Sequence, residues 1–217
     1  TKLIDEQCAS LAADLKILAC KTGMLADAEH VHAVVANLKK YDFGPLTVDP
    51  VMIAKGGAPL LADAAVATVR TELIPLATVV TPNLPEAEKL TGLKITDNAD
   101  MMAAGHALQD LGARNVIIKG GHEANPQTAN DFVLLADGSA FWLAAPRVDT
   151  VRTHGTGDTL SACITAELAK GQSMAAAIKT AKAYVAGTIQ DTIQVGHGHG
   201  PLNHWATPSD EVTVHDA

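Results

Sequence analysis

The sequence predicts an α/β domain with a mostly parallel central sheet and an antiparallel edge hairpin, and three observations carry that prediction. Short apolar, largely β-branched runs recur at residues 17–20, 46–48, 78–80 and 116–118, without the strict alternation of a half-exposed strand. Helical periodicity fills the intervals between them. The 47% apolar content comes mainly from Ala, Val, Leu and Ile, with aromatics at only 3%, which suits helices packed on a parallel sheet.

In chain order, the run at 17–20 is the first predicted strand. Val31, Val34, Val35 and Leu38 then share one helical face, and the run at 46–48 returns the chain to the sheet. After the third run, Thr81-Pro82-Asn83-Leu84-Pro85-Glu86 reads as a strand-to-helix junction. Met101, Ala104, Leu108 and Leu111 form the next helical face, stopped by Gly112. The run at 116–118 follows. Residues 132–135 and 140–143 flank Ala136-Asp137-Gly138-Ser139, and Asp-Gly between two apolar runs is a hairpin signal. Leu160, Cys163, Ile164 and Leu168 fit a helix ending at Gly171. Met174, Ile178, Ala181, Val185 and Ile189 fit another. The predicted strands end near Lys21 to Met24, Asp49 to Met52, Thr81 to Glu86 and Lys119 to His122, and in an open parallel sheet those ends share the edge where ligands bind.

Bulk properties exclude some functions. A net charge of −8 argues against nucleic acid or an anionic membrane as the main partner. No run of about 18 apolar residues is present, and the first residues lack the basic start and apolar stretch of a signal peptide. Cys8, Cys20 and Cys163 form no CxxC pair or zinc spacing, so a reducing, cytoplasmic setting is expected.

Four strings carry candidate chemistry. Thr153-His154-Gly155-Thr156-Gly157-Asp158 leads into a helix, where small residues let first-turn N–H groups approach an oxyanion. Asp158 is placed there to take a proton from an attacking hydroxyl. The same string also reads as an ordinary helix start with Asp in its first turn. Asn83 and Glu86 supply hard oxygens suited to Mg²⁺, or equally an N-cap and its first turn. Asp49 is a carboxylate at a strand end, or part of a plain turn through Pro50. Lys119-Gly120-Gly121-His122 puts a cation and two glycines after a strand, suiting nucleotide phosphates or a surface turn. His197, His199 and His204 lie among glycines and read as loop residues that pack or close over the site.

Together with Lys21-Thr22-Gly23-Met24-Leu25, Val48-Asp49-Pro50-Val51-Met52, Ala145-Pro146-Arg147 and the stretch from Gly196 to His204, these strings resemble the hydroxymethylpyrimidine and phosphomethylpyrimidine kinases of thiamine biosynthesis, within the ribokinase-like superfamily. The resemblance implies a three-layer α/β/α fold and a two-step activity. ATP phosphorylates the hydroxymethyl group of 4-amino-5-hydroxymethyl-2-methylpyrimidine, then phosphorylates the monophosphate to the diphosphate. It further implies that Gly155, Thr156 and Gly157 form the anion hole with Asp158 as base, and that Asp49, Asn83 and Glu86 organise Mg²⁺ and phosphate. Lys119 and Lys182 approach ATP, Met24 and Val51 wall the pyrimidine, and the enzyme is a cytoplasmic homodimer.

Two features depart from the family pattern. Many members carry Cys at the position of Asp158, whereas sugar kinases and many vitamin kinases of the superfamily carry Asp, so a pyridoxal-type vitamin kinase stays open as an alternative. The resemblance also implies an initial strand and a Gly-rich substrate segment not found before Thr1. Residues 1–217 are therefore expected to form a single kinase domain lacking that segment, and a catalytically silent nucleotide-binding homologue is the other alternative.

Overall fold

A computed structural model describes residues 1–52, 63–122, 127–198 and 200–217. Among them, β1 (Cys20–Thr22), β2 (Leu46–Val48), β3 (Val79–Val80), β4 (Asn115–Ile118), β5 (Thr128–Leu134), β6 (Ala140–Pro146) and β7 (Thr213–Asp216) form one sheet in sequential order. The first four strands are parallel; β5, β6 and β7 each run antiparallel to their predecessor. Parallel neighbours need a crossover, which helices provide.

Successive strand residues point to opposite faces, and both faces are apolar. Val80, Val116, Ile118, Phe132 and Leu134 pack with α2 (Ala28–Lys40), α4 (Leu84–Thr91) and α5 (Asn98–Asp110). Val79, Ile117, Val133 and Leu143 pack with α6 (Thr156–Ala169) and α7 (Met174–Gln190). Burying both faces removes any reason for polar alternation along these strands, which is why they read as continuous apolar runs. The three-layer arrangement follows directly.

Helix ends match their local chemistry. Asp97 accepts the amide of Asp100 at the start of α5, while Gly112, at φ 106°, turns the chain after its end. Gly105 in the middle of α5 has a packing reason: a Cβ there would stand 2.6 Å from Cε1 of the buried Phe132 ring. The hairpin turn closes through the Leu135 amide on Ser139 and the Gly138 amide on Leu135, with Gly138 at φ 84°.

The first strand lies three residues later than the sequence pattern indicates. Ala19 would face Pro45, which has no N–H for the ladder, so pairing starts at Cys20 against Leu46. Three elements have no counterpart in the sequence reading: α1 (Lys2–Asp14), β7, and α3 (Asp63–Thr68), which runs on through a π turn at Val69–Leu73 and a 3₁₀ turn at Ile74–Leu76. Helix α1 contributes no fully buried residue. The three cysteines are free thiols, and burial, reinforced by Cys8, pushes Cys20 up to about 11. No helix among the described residues is long and apolar enough to cross a membrane.

Candidate active site

The parallel ladder continues beyond the named strands and thereby aligns the site. The Asp49 amide donates to Thr22, the Thr81 amide to Val48 and the Lys119 amide to Pro82, and Asn83 and Lys119 form an isolated parallel bridge. Asp49, Thr81, Asn83 and Lys119 are thus held at one sheet edge by main-chain bonds. Side chains then cross-link them. Lys119 Nζ donates to Asp49 Oδ1 at 2.9 Å, and the Thr81 hydroxyl donates to the same oxygen at 3.3 Å. Asp49 is 2% exposed and the Lys119 side chain 16%, so this pair is shielded from water.

Helix α6 brings its N-terminus over this edge, anchored by Thr165, which donates to the Thr47 hydroxyl at 2.9 Å. Its N-cap is Gly155 at φ 88°, and no side chain caps the first turn. Apart from a long bond of 3.5 Å from the Thr156 amide to the Thr153 carbonyl, the first-turn amides have no acceptor within the helix, so that end keeps its partial positive charge. Gly157 lets the first turn of α6 approach this pair closely. A Cβ on it would lie 3.0 Å from Lys119 Nζ and 3.6 Å from Asp49 Oδ2. The first turn of α6 and the Lys119–Asp49 pair therefore adjoin. Asp158, one residue on, projects an exposed carboxylate that accepts from Lys21 Nζ of β1 at 2.5 Å.

Asn83 and Glu86 form a reciprocal capping box at the start of α4: Asn83 Oδ1 accepts the Glu86 amide at 2.9 Å and Glu86 Oε2 accepts the Asn83 amide at 2.8 Å. The helix-cap reading of these residues is thus realised in the structure. Glu86 is nevertheless unusual for a cap residue in being 3% exposed. Burial pushes its carboxyl above the ordinary value of about 4.5; Lys119 and the Asn83 and Met52 amides pull it back, while Asp49 raises it.

This shift has a testable sign. A carboxyl with a raised native pKa holds more protons folded than unfolded, so the associated stability is full below about pH 4.5 and is lost as pH rises through the native value. Glu86→Gln keeps an oxygen for the Asn83 amide and removes the charge. The variant is expected to be more stable than the parent at pH 7, with the difference vanishing near pH 4, as read by urea unfolding at both values. Equal stability at pH 7 would contradict this account.

Of the remaining sequence-derived candidates, Val51 lines a small recess with Gly23, Leu25, Asp49, Pro50 and Met52. Met24 follows β1 and is 56% exposed. Lys182 is not brought to the others. Its Nζ, on a residue 7% exposed, donates to Asp131 Oδ2 at 2.8 Å and to the Ala129 carbonyl at 3.1 Å, while Asp131 Oδ1 accepts the Gly120 amide at 3.0 Å. Lys182 therefore sits beneath the turn that follows Lys119. The histidine loop is described at His197 and His204, with Tyr184 donating to the His204 carbonyl at 2.9 Å; His199 lies outside the described residues. Sequence reasoning gave no role to Lys21, Thr81 or Asp131. Their partners are distant in the chain and leave no local pattern.

Comparison with known proteins follows the same lines. A family model described as phosphomethylpyrimidine kinase matches residues 1–203. A hydroxymethylpyrimidine/phosphomethylpyrimidine kinase of Haemophilus influenzae is 52% identical over 207 residues, covering 94% of this chain and 77% of that protein. The Bacillus subtilis protein of the same name is 45% identical over 202 residues, covering 93% of this chain and 74% of its own length. Among solved structures, the pyridoxal kinase of Staphylococcus aureus in complex with AMP-PCP superposes with a TM-score of 0.89 at 31% identity, covering 98% of this chain and 78% of that one.

Proposed function

We infer, from the premise that the chain belongs to the phosphomethylpyrimidine kinase family, that it transfers the γ-phosphoryl group of ATP to 4-amino-5-hydroxymethyl-2-methylpyrimidine and then to the resulting monophosphate, in thiamine diphosphate biosynthesis. The observation that carries this reading into the site is the close approach of Gly157 to Lys119 and Asp49. It joins an uncapped helix N-terminus, a shielded cation and the Asp158 carboxylate at one sheet edge.

In the first step Asp158 accepts the hydroxyl proton as the oxygen attacks the γ-phosphorus, and ADP departs with the electrons of the broken P–O bond. The amides of Gly155, Thr156 and Gly157 stabilise charge on the transferring group. Lys119 lies on the nucleotide side, and Lys182 supports that side from beneath through Asp131 and the Gly120 amide. Met24 and Val51 flank the acceptor ring.

The residues at this edge fit Mg²⁺, the ion that kinase chemistry calls for. Asp49 Oδ2 faces the first turn of α6, and the buried Glu86 carboxyl is held in place by the Asn83 amide. Asp49 and Glu86, aligned by Asn83, would hold the ion, which would neutralise phosphate charge. The acidic net charge supports action on a small acceptor rather than on nucleic acid, and we read the protein as a cytoplasmic homodimer.

A pyridoxal-type kinase is the competing reading, since the superposition above is on such an enzyme. Sequence identity favours the pyrimidine, at 52% against 31%. The deciding experiment compares kcat/KM for ADP formation with hydroxymethylpyrimidine and with pyridoxal. Preference for the pyrimidine is expected. Preference for pyridoxal would reverse the assignment, and ATP binding without turnover of either acceptor would point to a silent homologue.

A further inference from the structure

The two acceptors of this reaction sequence pose different chemical problems to one site. A primary alcohol is neutral and must lose a proton as it attacks, so it needs a base. A phosphate monoester has a second pKa near 6 and reacts as a dianion whose attacking oxygen carries no proton. It needs no base. Its difficulty is charge: a dianion must settle beside the Asp158 carboxylate and approach the γ-phosphate of ATP, and like charges so placed repel.

The described residues contain a cation placed to solve this. Lys21 projects from β1 to Asp158 of α6, with Nζ 2.5 Å from Oδ1, and the Lys21 side chain is 23% exposed against 72% for Asp158. The adjoining residue is Gly23, and a Cβ there would lie 3.5 Å from Lys21 Nζ and 3.9 Å from Asp158 Oδ1. The missing side chain leaves both charged groups approachable from the acceptor side. Lys119 and Lys182 are each closed in a pair with a carboxylate shielded from water, Asp49 at 2% and Asp131 at 7% exposure, whereas the carboxylate that Lys21 meets is 72% exposed.

We propose that Lys21 is the specificity residue for the anionic acceptor: it neutralises Asp158 when the alcohol is absent, and bridges Asp158 and the acceptor phosphate when the monophosphate binds. In that second step an acceptor phosphate oxygen forms the new bond to the γ-phosphorus. The bond from γ-phosphorus to the bridging oxygen breaks, ADP leaves with that electron pair, and no proton is transferred. An ammonium suits this role because it has three donors and can serve two oxygens at once. The proposal rests on the two-step reading given above.

The test is Lys21→Met in the protein, assayed separately with hydroxymethylpyrimidine and with its monophosphate under saturating ATP. The readout is the ratio of the two kcat/KM values. Loss of one charge-assisted hydrogen bond to the acceptor is expected to lower kcat/KM for the monophosphate by about 10- to 100-fold more than for the alcohol. Most of the excess should appear in KM. Lys21→Arg, which keeps the charge, is expected to restore part of the monophosphate activity. Equal losses on both acceptors, or a larger loss on the alcohol, would overturn the proposal, and turnover of the alcohol by the variant establishes that it is folded. A parent protein that turned over neither acceptor would instead remove the two-step reading itself.

Discussion

Asp158→Asn is expected to lower kcat for phosphorylation of the hydroxymethyl group by about 10²- to 10⁴-fold, the range that general-base catalysis supplies. Asn matches the carboxylate in shape and keeps an oxygen for Lys21, so the helix end and the contact to β1 survive. The negative charge and the ability to accept the hydroxyl proton are lost. The side chain is 72% exposed, so the change leaves no buried group unpaired and the fold is expected to tolerate it. ADP release measured with the alcohol at pH 7.5, beside a thermal unfolding curve, checks both halves. Turnover within a few-fold of the parent would remove Asp158 from the chemistry. Asp158→Cys replaces the carboxylate by a thiol at the start of α6 beside Lys21, a setting that lowers a thiol's pKa, so this variant is expected to retain more activity at pH 7.5 than Asp158→Asn.

Much of the architecture was legible because burial on two faces writes itself into composition. Leu46–Val48 is a strand with every residue buried, and it stands where the apolar run stands. The hairpin between β5 and β6 was equally legible, since Asp137-Gly138 marks a turn whose glycine takes a positive φ. Of the three elements that escaped, α3 carries buried residues but breaks its α-helical period at the π turn Val69–Leu73, and the other two lack a buried signature. Helix α1 has no fully buried residue, and β7 is exposed along its length, so neither imposes periodicity on its sequence.

The site divides in the same way. Asp49, Asn83, Lys119 and Asp158 could be located because each follows or opens an element whose position the apolar pattern reveals. Their charge partners could not. Lys21 and Asp158 are 137 residues apart, and Lys182 and Asp131 are 51 apart. A lysine in a strand or a helix looks the same whether it meets solvent or a carboxylate. Pairing across the sheet is a property of the assembled layers, and only the fold discloses it.

Lys182 shows what that disclosure changes. The resemblance sends its ammonium towards ATP, while the structure commits it to Asp131 and Ala129 in a pair whose side chains are 9% and 7% exposed. Breaking one half of such a pair strands a buried charge, which costs about 3–5 kcal/mol. Lys182→Met is therefore expected to lower the melting temperature by roughly 10 °C, given the shift of about 2–4 °C per kcal/mol for chains of this size. The same variant is expected to raise KM for ATP, because Asp131 also holds the Gly120 amide in the turn that follows Lys119. Adding Asp131→Asn removes the stranded charge and keeps an oxygen for that amide. The double variant should therefore recover most of the lost stability and, with it, the affinity for ATP. Thermal unfolding and KM for ATP, measured on both variants, separate the possibilities. Recovered stability with KM still high would mean that the ammonium reaches the nucleotide itself, and a single variant as stable as the parent would mean that the pair contributes nothing to the fold.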